Sequence, residues 1–346
     1  MSLRFPAEWE PQDAALIAWP HEGTDWAERL AEVEATYVAL GLAVTRFQRL
    51  VIVVADAALE ARARTLLAGA GADLGRVRFV HAAYDDTWLR DSGPITLIDA
   101  ALRDGDAFRL LDFRFTGWGG KYGAAQDDAL IAQLVAAGLF RNARHQRIDF
   151  ALEGGAIETD GDGTLLTTAR CLHARHPGLT RQEISWQLEN ALQQRRVLWL
   201  EHGALEGDDT DAHIDTLARF AARDAIVFQD CDDPADAHYA GLKAMGAELA
   251  ALRTAGNRPY RLYPLPWPRP ILDGGRRLAA SYANFLVVNG AVLMPAYGDR
   301  ADAAAAVMLG NAFPGRAIVP VPCRPLVWQN GSLHCITMQL PAGLLA

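Results

Sequence analysis

Residues 207–215 concentrate the side chains best suited to chemistry, with four carboxylates and His213 inside nine positions. So much negative charge repels itself unless something cationic is bound. If residues 212–216 are extended, His213 and Asp215 point to the same side of the strand. The segment then fits a divalent metal ion, or an organic cation beside an acid–base histidine. A solvated acidic loop is the third interpretation.

A second reactive group is Cys335, which follows His334 and a glycine-containing turn. A cysteine is a nucleophile only as a thiolate, which needs a stabilising neighbour such as an imidazolium. The spacing alone leaves Cys335 open between a nucleophile and an inert thiol. We expect the other three cysteines, Cys171, Cys231 and Cys323, to be small buried hydrophobic side chains.

Two shorter segments carry polar side chains directly after predicted strands, where functional loops gather in α/β proteins. Residues 84–94 contain three acids together with Trp88 and Arg90. Glu153 precedes two glycines, which allow the backbone to approach another group closely. Taken alone, each segment also fits an ordinary solvated loop.

The elements that must position these residues recur in the order hairpin, helix, strand. Five such units, at a spacing of roughly 50 to 70 residues, predict one repeat-built α/β domain covering residues 1–346. A plain α/β sandwich is the alternative, and residues 57–81 predict an extra helix and strand. The predicted strands that close the five units are 50–54, 147–150, 197–200, 260–265 and 317–321. The predicted helices begin at Asp25 and Thr180 or span 128–137, 235–252 and 301–309.

Composition excludes several classes of protein. The 346 residues are 51% hydrophobic and 22% charged, with a net charge of −9, which argues against a nucleic-acid or anionic-membrane partner. No apolar run is long enough for a signal peptide or a membrane span. The widely spaced cysteines predict free thiols in a reducing cytoplasm. The phosphate-binding and dinucleotide-binding glycine motifs do not follow any predicted strand, so neither cofactor is expected.

Taken together, these motifs resemble the agmatine deiminases, which are grouped with the bacterial-type peptidyl-arginine deiminases in the guanidine-modifying superfamily. The resemblance runs nearly end to end and is specific because many motifs occur in the same order. The chain departs from the family pattern at Ala212, where the family often has glycine, and in residues 169–177. The motifs that carry the resemblance are residues 6–12, 19–26, 88–94, 118–122, 153–155, 207–215, 280–285 and 331–337.

The resemblance implies a five-bladed α/β propeller, also called a pentein, around a central channel. It implies that Cys335 is the nucleophile, that His213 is the general acid and base, and that Glu153 orients His213. Two carboxylates, Asp91 and Asp215, are then expected to grip a guanidinium. The resemblance also places Trp88, Trp118 and Asp209 along the substrate channel.

The function expected from this resemblance is agmatine deimination in the cytoplasm, releasing ammonia and N-carbamoylputrescine for polyamine synthesis without a metal or cofactor. A deiminase of free or peptidyl arginine is the alternative within the same chemistry. A non-catalytic binding protein on the same fold and a metal-dependent hydrolase are the alternatives from other classes. The expected partner is a small cationic guanidino compound, and a homo-oligomer is left open.

Overall fold

A computed structural model describes residues 3–99, 101–102 and 107–346. The strands in these residues are short, and most of them carry the buried aliphatic runs that parallel and central strands require. They are β1 Leu3–Arg4, β2 Gln12–Ala18, β3 Arg49–Val54, β4 Val77–His81, β5 Ile95–Asp99, β6 Phe108–Arg114, β7 Ala143–Ala151, β8 Ile157–Thr159, β9 Thr164–Thr168, β10 Arg196–Leu200, β11 Ala218–Ala222, β12 Ala225–Gln229, β13 Arg261–Leu265, β14 Ile271–Asp273, β15 Arg276–Leu278, β16 Leu286–Val288, β17 Ala291–Ala296, β18 Ala317–Pro322 and β19 Met338–Pro341.

The helices connect these strands and lie between them in the chain. They are α1 Leu30–Thr45, α2 Ala57–Gly69, α3 Leu89–Ser92, α4 Gly117–Gly120, α5 Ala125–Asp128, α6 Leu130–Ala136, α7 Ala169–Arg175, α8 Arg181–Ala191, α9 Tyr239–Ala251 and α10 Asp302–Ala312. The capping box predicted at Thr180 is present, since its side chain accepts from the backbone of Glu183 while Glu183 binds back to Thr180. This reciprocal pair fixes where α8 begins.

Five sheets repeat the same plan, in which an antiparallel hairpin is followed by a helix and then a parallel strand. The second to fifth blades are β5–β6–β7, β8–β9–β10, β11–β12–β13 and β16–β17–β18. The sheets are not hydrogen-bonded into one closed barrel, and the hairpin β14–β15 forms a sixth, separate sheet. The predicted five-unit α/β propeller is therefore the observed architecture.

The first blade is completed by the far end of the chain. The C-terminal strand β19 pairs antiparallel with β2, and β2 pairs parallel with β3, which reproduces the hairpin-plus-strand plan. The predicted extra helix and strand at residues 57–81 are α2 and β4, and β4 extends this blade beyond β3. The sequence alone showed only one strand of this hairpin because its partner lies more than 300 residues away.

One local prediction was wrong. Residues 212–216 are not extended: Ile214–Thr216 form a single 3₁₀ turn, and the strand of the fourth blade starts at Ala218. Asp211 and Ala212 both have left-handed backbone, with φ of 67° and 68°. That conformation is costly for a residue with a Cβ, so glycine would be less strained than alanine at position 212.

The centre of the ring contains a group of buried charges. Arg219 donates to Glu158 at 2.6 Å and to Glu8 at 2.7 Å, and it also donates to the backbone oxygen of Phe285 at 2.8 Å. Arg90 lies nearby, with one nitrogen 3.6 Å from the Glu8 carboxylate. Strands of different blades are thereby joined through one guanidinium, since Glu158 is on β8 and Arg219 is on β11.

The structure also bears on the expectations about membrane-spanning helices and about the cysteines. Across residues 3–99, 101–102 and 107–346, no helix combines the length and the apolar character that crossing a membrane would require. All four cysteines are free and buried. The single-domain boundary at residues 1–346 stays a prediction.

We expect Arg219→Met to lower the free energy of unfolding by about 3–5 kcal/mol, because it leaves Glu8 and Glu158 buried without their cation. Urea unfolding measures this loss. Arg261→Met is the matched control, since it breaks the exposed Arg261–Asp224 pair and should cost about 0–1 kcal/mol. Equal losses in both variants would contradict a stabilising role for the central charge group.

Candidate active site

The five connections between blades each bring polar side chains to one place. Asp91 lies between β4 and β5, and Glu153 lies between β7 and β8. His213 and Asp215 lie between β10 and β11. The next two connections contribute Asn284, just before β16, and Cys335, just before β19. The repeat therefore assembles the site, because equivalent loops of a ring meet at its axis.

The thiol of Cys335 lies within this cluster of polar side chains. Its Sγ lies 3.7 Å from a carboxylate oxygen of Asp215. The side-chain amide of Asn284 donates to Sγ at 3.2 Å, and its oxygen accepts from the backbone N–H of His334 and Cys335. Asn284 therefore holds both the thiol and the backbone that carries it.

Asp91 is fixed on both of its oxygens. Oδ1 accepts from the backbone N–H of Gly155 at 3.0 Å, and Oδ2 accepts from the indole N–H of Trp118 at 2.9 Å. Gly155 is required here: a Cβ would lie 2.6 Å from the ring of His213 and 2.8 Å from Asp91. The two glycines after Glu153 thus have the predicted purpose of close backbone approach.

His213 is fully buried between two carboxylates. Its Nε2 lies 3.3 Å from Glu153, and its Nδ1 lies 3.6 Å from Asp91. Glu153 is in turn held by Arg175, whose Nε donates to it at 2.7 Å. The same guanidinium donates to Asp211 and to the backbone oxygen of Thr210, so it also anchors the acidic loop.

The charges of this cluster act on one another. Although burial alone lowers the pKa of His213, the carboxylate of Asp91 is the largest influence that raises it, and the result is a pKa well above its ordinary value. Burial, together with the carboxylates of Asp215 and Asp91, raises the pKa of the Cys335 thiol well above its ordinary value. Both shifts favour the protonated forms, an imidazolium at His213 and a neutral thiol at Cys335.

The two clamping candidates differ in their titration. Burial raises the pKa of Asp91 to about 6, with Asp215 and Glu153 adding to the effect. Burial alone would raise the pKa of Asp215. The hydrogen bond from His334 is the largest of the influences that lower it, and together they bring the pKa of Asp215 below its ordinary value. Within the described residues, Oδ1 of Asp215 has no hydrogen-bond partner. The oxygen of Asp215 nearest to the thiol is Oδ2, which also contacts His334, so the unpaired oxygen is the other one.

A cleft of about 450 Å³ leads to the thiol. Its walls include the three residues predicted to line a channel, Trp88, Trp118 and Asp209. Asp209 accepts from the hydroxyl of Tyr122 and from the amide of Asn330, both at the cleft. The remaining charged groups on its lining are the carboxylates Asp25, Asp85, Asp86, Asp91 and Asp127 and the guanidinium of Arg276. Such a cleft suits a small organic cation.

Reasoning from the sequence missed several residues that the structure brings to the site. Asn284 and His334 both lie in motifs that had been singled out, and the repeat itself marks Asn284 because it occupies the connection of the fourth blade. Arg175 and Arg276 gave no signal, since each reaches the site from a segment with no reactive pattern. Cys171, expected to be an inert thiol, is buried with its Sγ 4.0 Å from Glu153.

The acidic segment does not gather its carboxylates around a metal-sized space. The group of potential ligand atoms found in the described residues is Glu153, Cys171 and His213, within 4.8 Å of one another. Arg175 already donates to Glu153, and its fixed positive charge would repel a metal ion there. Asp208, meanwhile, accepts from the backbone and hydroxyl of Thr210 and from the backbone of Ala212. It shapes the loop instead of facing the cleft.

The five-bladed fold and a buried cysteine beside a histidine and carboxylates define a guanidine-modifying enzyme of the pentein class. The model of the Porphyromonas-type peptidyl-arginine deiminase family matches residues 4–341, and the chain belongs to this family. Agmatine deiminase from Stutzerimonas stutzeri (strain A1501) is 36% identical over 98% of this chain and 95% of its own length.

Two solved structures are similar along their whole length. A protein from Porphyromonas gingivalis, provisionally named an arginine deiminase, is 45% identical with a TM-score of 0.91, covering 99% of this chain and 100% of its own. Agmatine deiminase from C. jejuni with substrate bound is 32% identical with a TM-score of 0.90, covering 99% and 97%. The family therefore contains proteins named for two related guanidino substrates.

We expect alkylation of Cys335 by iodoacetamide to be slow near neutral pH and to accelerate as pH rises, because the thiolate forms only at high pH. Asp215→Asn removes a negative charge close to Sγ, so the pKa of the thiol should fall and alkylation at about pH 7 should be at least about tenfold faster. Mass spectrometry of the labelled peptide measures both rates.

Cys335→Ala is the control for this labelling, since Cys335 lines the cleft and the three remaining buried thiols are not among its described lining residues, so they should stay unmodified. A wild-type rate that is already at its plateau near neutral pH would show that the thiolate exists before substrate binds.

Proposed function

We propose that the protein is an agmatine deiminase, which converts agmatine and water to N-carbamoylputrescine and ammonia. The observation that carries the proposal is the convergence of Cys335, His213 and two carboxylates at the floor of an acidic cleft. Agmatine carries a guanidinium at one end and an ammonium at the other, which suits a cleft whose described lining includes six aspartates and one arginine. The non-catalytic and metal-dependent alternatives do not account for a thiol held by Asn284 and Asp215 at the end of this cleft.

In this proposal, Asp91 and Asp215 form the guanidinium clamp. Each carboxylate accepts hydrogen bonds from one edge of the planar guanidinium, which places its central carbon over Sγ of Cys335. The free oxygen of Asp215 is available for this contact. The positive charge of the substrate also opposes the two carboxylates that raise the pKa of the thiol, so substrate binding favours release of the thiol proton.

The covalent step follows from this arrangement. The thiolate attacks the guanidinium carbon and forms a C–S bond, and the imidazolium of His213 gives its proton to the departing nitrogen. The C–N bond breaks, ammonia leaves, and an amidino-thioether remains on Cys335. Glu153 keeps the imidazole in position throughout, as the third member does in other catalytic triads.

Hydrolysis then reverses the proton transfer. Neutral His213 removes a proton from water, and the resulting hydroxide attacks the amidino carbon. As the C–S bond breaks, the product leaves as a urea, and the hydroxyl proton replaces the one that the thiol lost. No metal or cofactor has a role in this scheme.

A deiminase of free arginine is the second candidate, favoured by the name given to the P. gingivalis structure. Arginine would bring a carboxylate into the cleft, and the basic side chain on the described cleft lining is Arg276. Arg276 already donates to Asn330 and to the backbone oxygen of Trp328, which engages two of its five N–H donors. An incoming carboxylate would have to bind beside this one guanidinium while facing several aspartates.

We further propose a cytoplasmic location, because four free cysteines suit a reducing compartment. The absence of a nucleic-acid partner stays an expectation from the net charge of −9. Formation of a homo-oligomer is not decided by these residues.

We expect Cys335→Ala to abolish ammonia release from agmatine, whereas Cys231→Ala and Cys323→Ala retain it. Asp91→Asn should lose at least about ten- to a hundredfold in kcat/KM, since a hydrogen bond to a charged group contributes about 1.5–3 kcal/mol. A coupled ammonia assay measures all four variants. Activity of Cys335→Ala within tenfold of the wild type would refute the covalent mechanism.

We expect kcat/KM for agmatine to exceed that for free arginine by at least about a hundredfold, the scale of one unpaired buried polar or charged group. Carbamoylputrescine and citrulline are quantified in one competition reaction, with a peptidyl arginine tested in parallel. Comparable specificity constants would replace agmatine with arginine as the substrate. Arg276→Gln then identifies the cause, since it should weaken arginine turnover alone.

A further inference from the structure

Behind the substrate-facing side of Asp215 lies a buried row of three ionisable groups, Asp215, His334 and Glu8. Nδ1 of His334 lies 2.7 Å from Oδ2 of Asp215, and Nε2 of the same ring lies 2.7 Å from a carboxylate oxygen of Glu8. All three residues are almost completely inaccessible to solvent. None of the steps proposed for catalysis uses His334 or Glu8.

The two short contacts require two shared protons. An ionised carboxylate only accepts hydrogen bonds, and a neutral imidazole donates from only one of its nitrogens. His334 is therefore an imidazolium between two carboxylates, or it is neutral and one of the carboxyl groups carries the second proton. In both cases the three groups hold two protons and one net negative charge.

The two carboxylate oxygens of Asp215 differ in their hydrogen bonding. Oδ2 is occupied by His334, whereas Oδ1 has no hydrogen-bond partner within the described part of the chain. A carboxylate held on one side cannot rotate freely, so its free oxygen points in a defined direction. The backbone N–H of His334 is itself held by Asn284, the residue that contacts Sγ of Cys335.

We infer that His334 is a positioning residue for the guanidinium clamp: together with Glu8 it holds one oxygen of Asp215 and leaves the other free for the substrate. This inference rests on the proposed deiminase function, in which Asp215 binds the guanidinium. His334 does not touch the substrate in this scheme, and it acts only through Asp215.

The surroundings of the row support an electrostatic as well as a geometric role. Burial, followed by the guanidiniums of Arg219 and Arg90, lowers the pKa of His334, while Glu8 and Asp215 act in the opposite direction. Glu158 lies beyond Arg219, and Cys335 is the next residue in the chain. On its far side, Asp215 also experiences the imidazolium of His213, which favours its ionised form.

The sign of the pH effect follows from these contacts. The hydrogen bond from His334 lowers the pKa of Asp215, and the clamp needs Asp215 ionised. Asp91, whose pKa is about 6, sets the pH at which activity begins to fall on acidification. Without His334 the pKa of Asp215 rises, and a second protonation then makes this fall steeper. The acid limb is the part of the pH profile in which kcat/KM falls as the pH decreases. A side chain that only filled space would reduce activity without changing the acid limb.

The test compares the pH dependence of kcat/KM in four proteins. In His334→Leu the protonation of Asp215 should begin about one to two pH units higher, the size expected for one lost charge-assisted hydrogen bond. The acid limb should therefore become steeper, because Asp91 and Asp215 are then protonated over overlapping pH ranges. His334→Asn places a donor near Asp215 and should reverse much of this change. Glu8→Gln lets a neutral His334 keep its bond to Asp215, so its limb should lie between those of the wild type and His334→Leu.

His145→Leu is the matched control, because it removes a different histidine from a buried carboxylate, Asp112. Its acid limb should coincide with that of the wild type. An unchanged limb in both His334→Leu and Glu8→Gln would overturn the inference. If His334→Leu does not fold, as judged by circular dichroism, Glu8→Gln and His334→Asn decide the question.

A second measurement separates this inference from the proposed function. The affinity of agmatine for the Cys335→Ala protein is measured by calorimetry across pH, with and without His334→Leu. If wild-type enzyme does not turn over agmatine, the proposed function fails, and the profiles are recorded with the guanidino substrate that it does turn over. If agmatine is turned over and the limbs do not change, only the role of His334 fails.

Discussion

The structure depends on balancing the negative charge of the carboxylates that lie close together at the site. Asp91, Asp215 and Glu153 surround one buried imidazole, and three carboxylates so close together would not remain ionised without neighbouring positive charge. Arg175 compensates Glu153, and His334 stabilises Asp215. The cationic guanidinium that we propose as the substrate would add to this compensation.

The same constraint connects the site to the fold. Arg219 and Arg90 surround Glu8, and Glu8 holds His334, so the charge at the clamp is linked to the ion pairs at the centre of the ring. A buried ion pair adds little stability over an apolar core, but breaking one is costly. Stability and catalysis thus share part of one buried network. Substitutions in it are expected to affect both.

The five-fold repeat explains why residues far apart in the chain meet. Each connection between blades contributes to the same axis, so Asp91 and Cys335 are neighbours in space although they are separated by more than two thirds of the chain. The local turns determine how closely the side chains approach and which way they face. Gly155 allows the close approach of Asp91 and His213, and the left-handed residues Asp211 and Ala212 turn the acidic loop so that His213 and Asp215 face inward.

The sequence by itself determined the repeat of hairpin, helix and strand, because buried aliphatic runs and helical spacing are local properties of the chain. Its motifs also indicated candidate reactive residues, and the resemblance to a known family assigned the roles that we propose for Cys335, His213 and the carboxylates. Only the tertiary structure decided how they are arranged: the pairing of β19 with β2, the 3₁₀ turn at Ile214–Thr216, and the approach of Arg175, Asn284 and Glu8. These depend on contacts between distant segments, whose geometry no local pattern encodes.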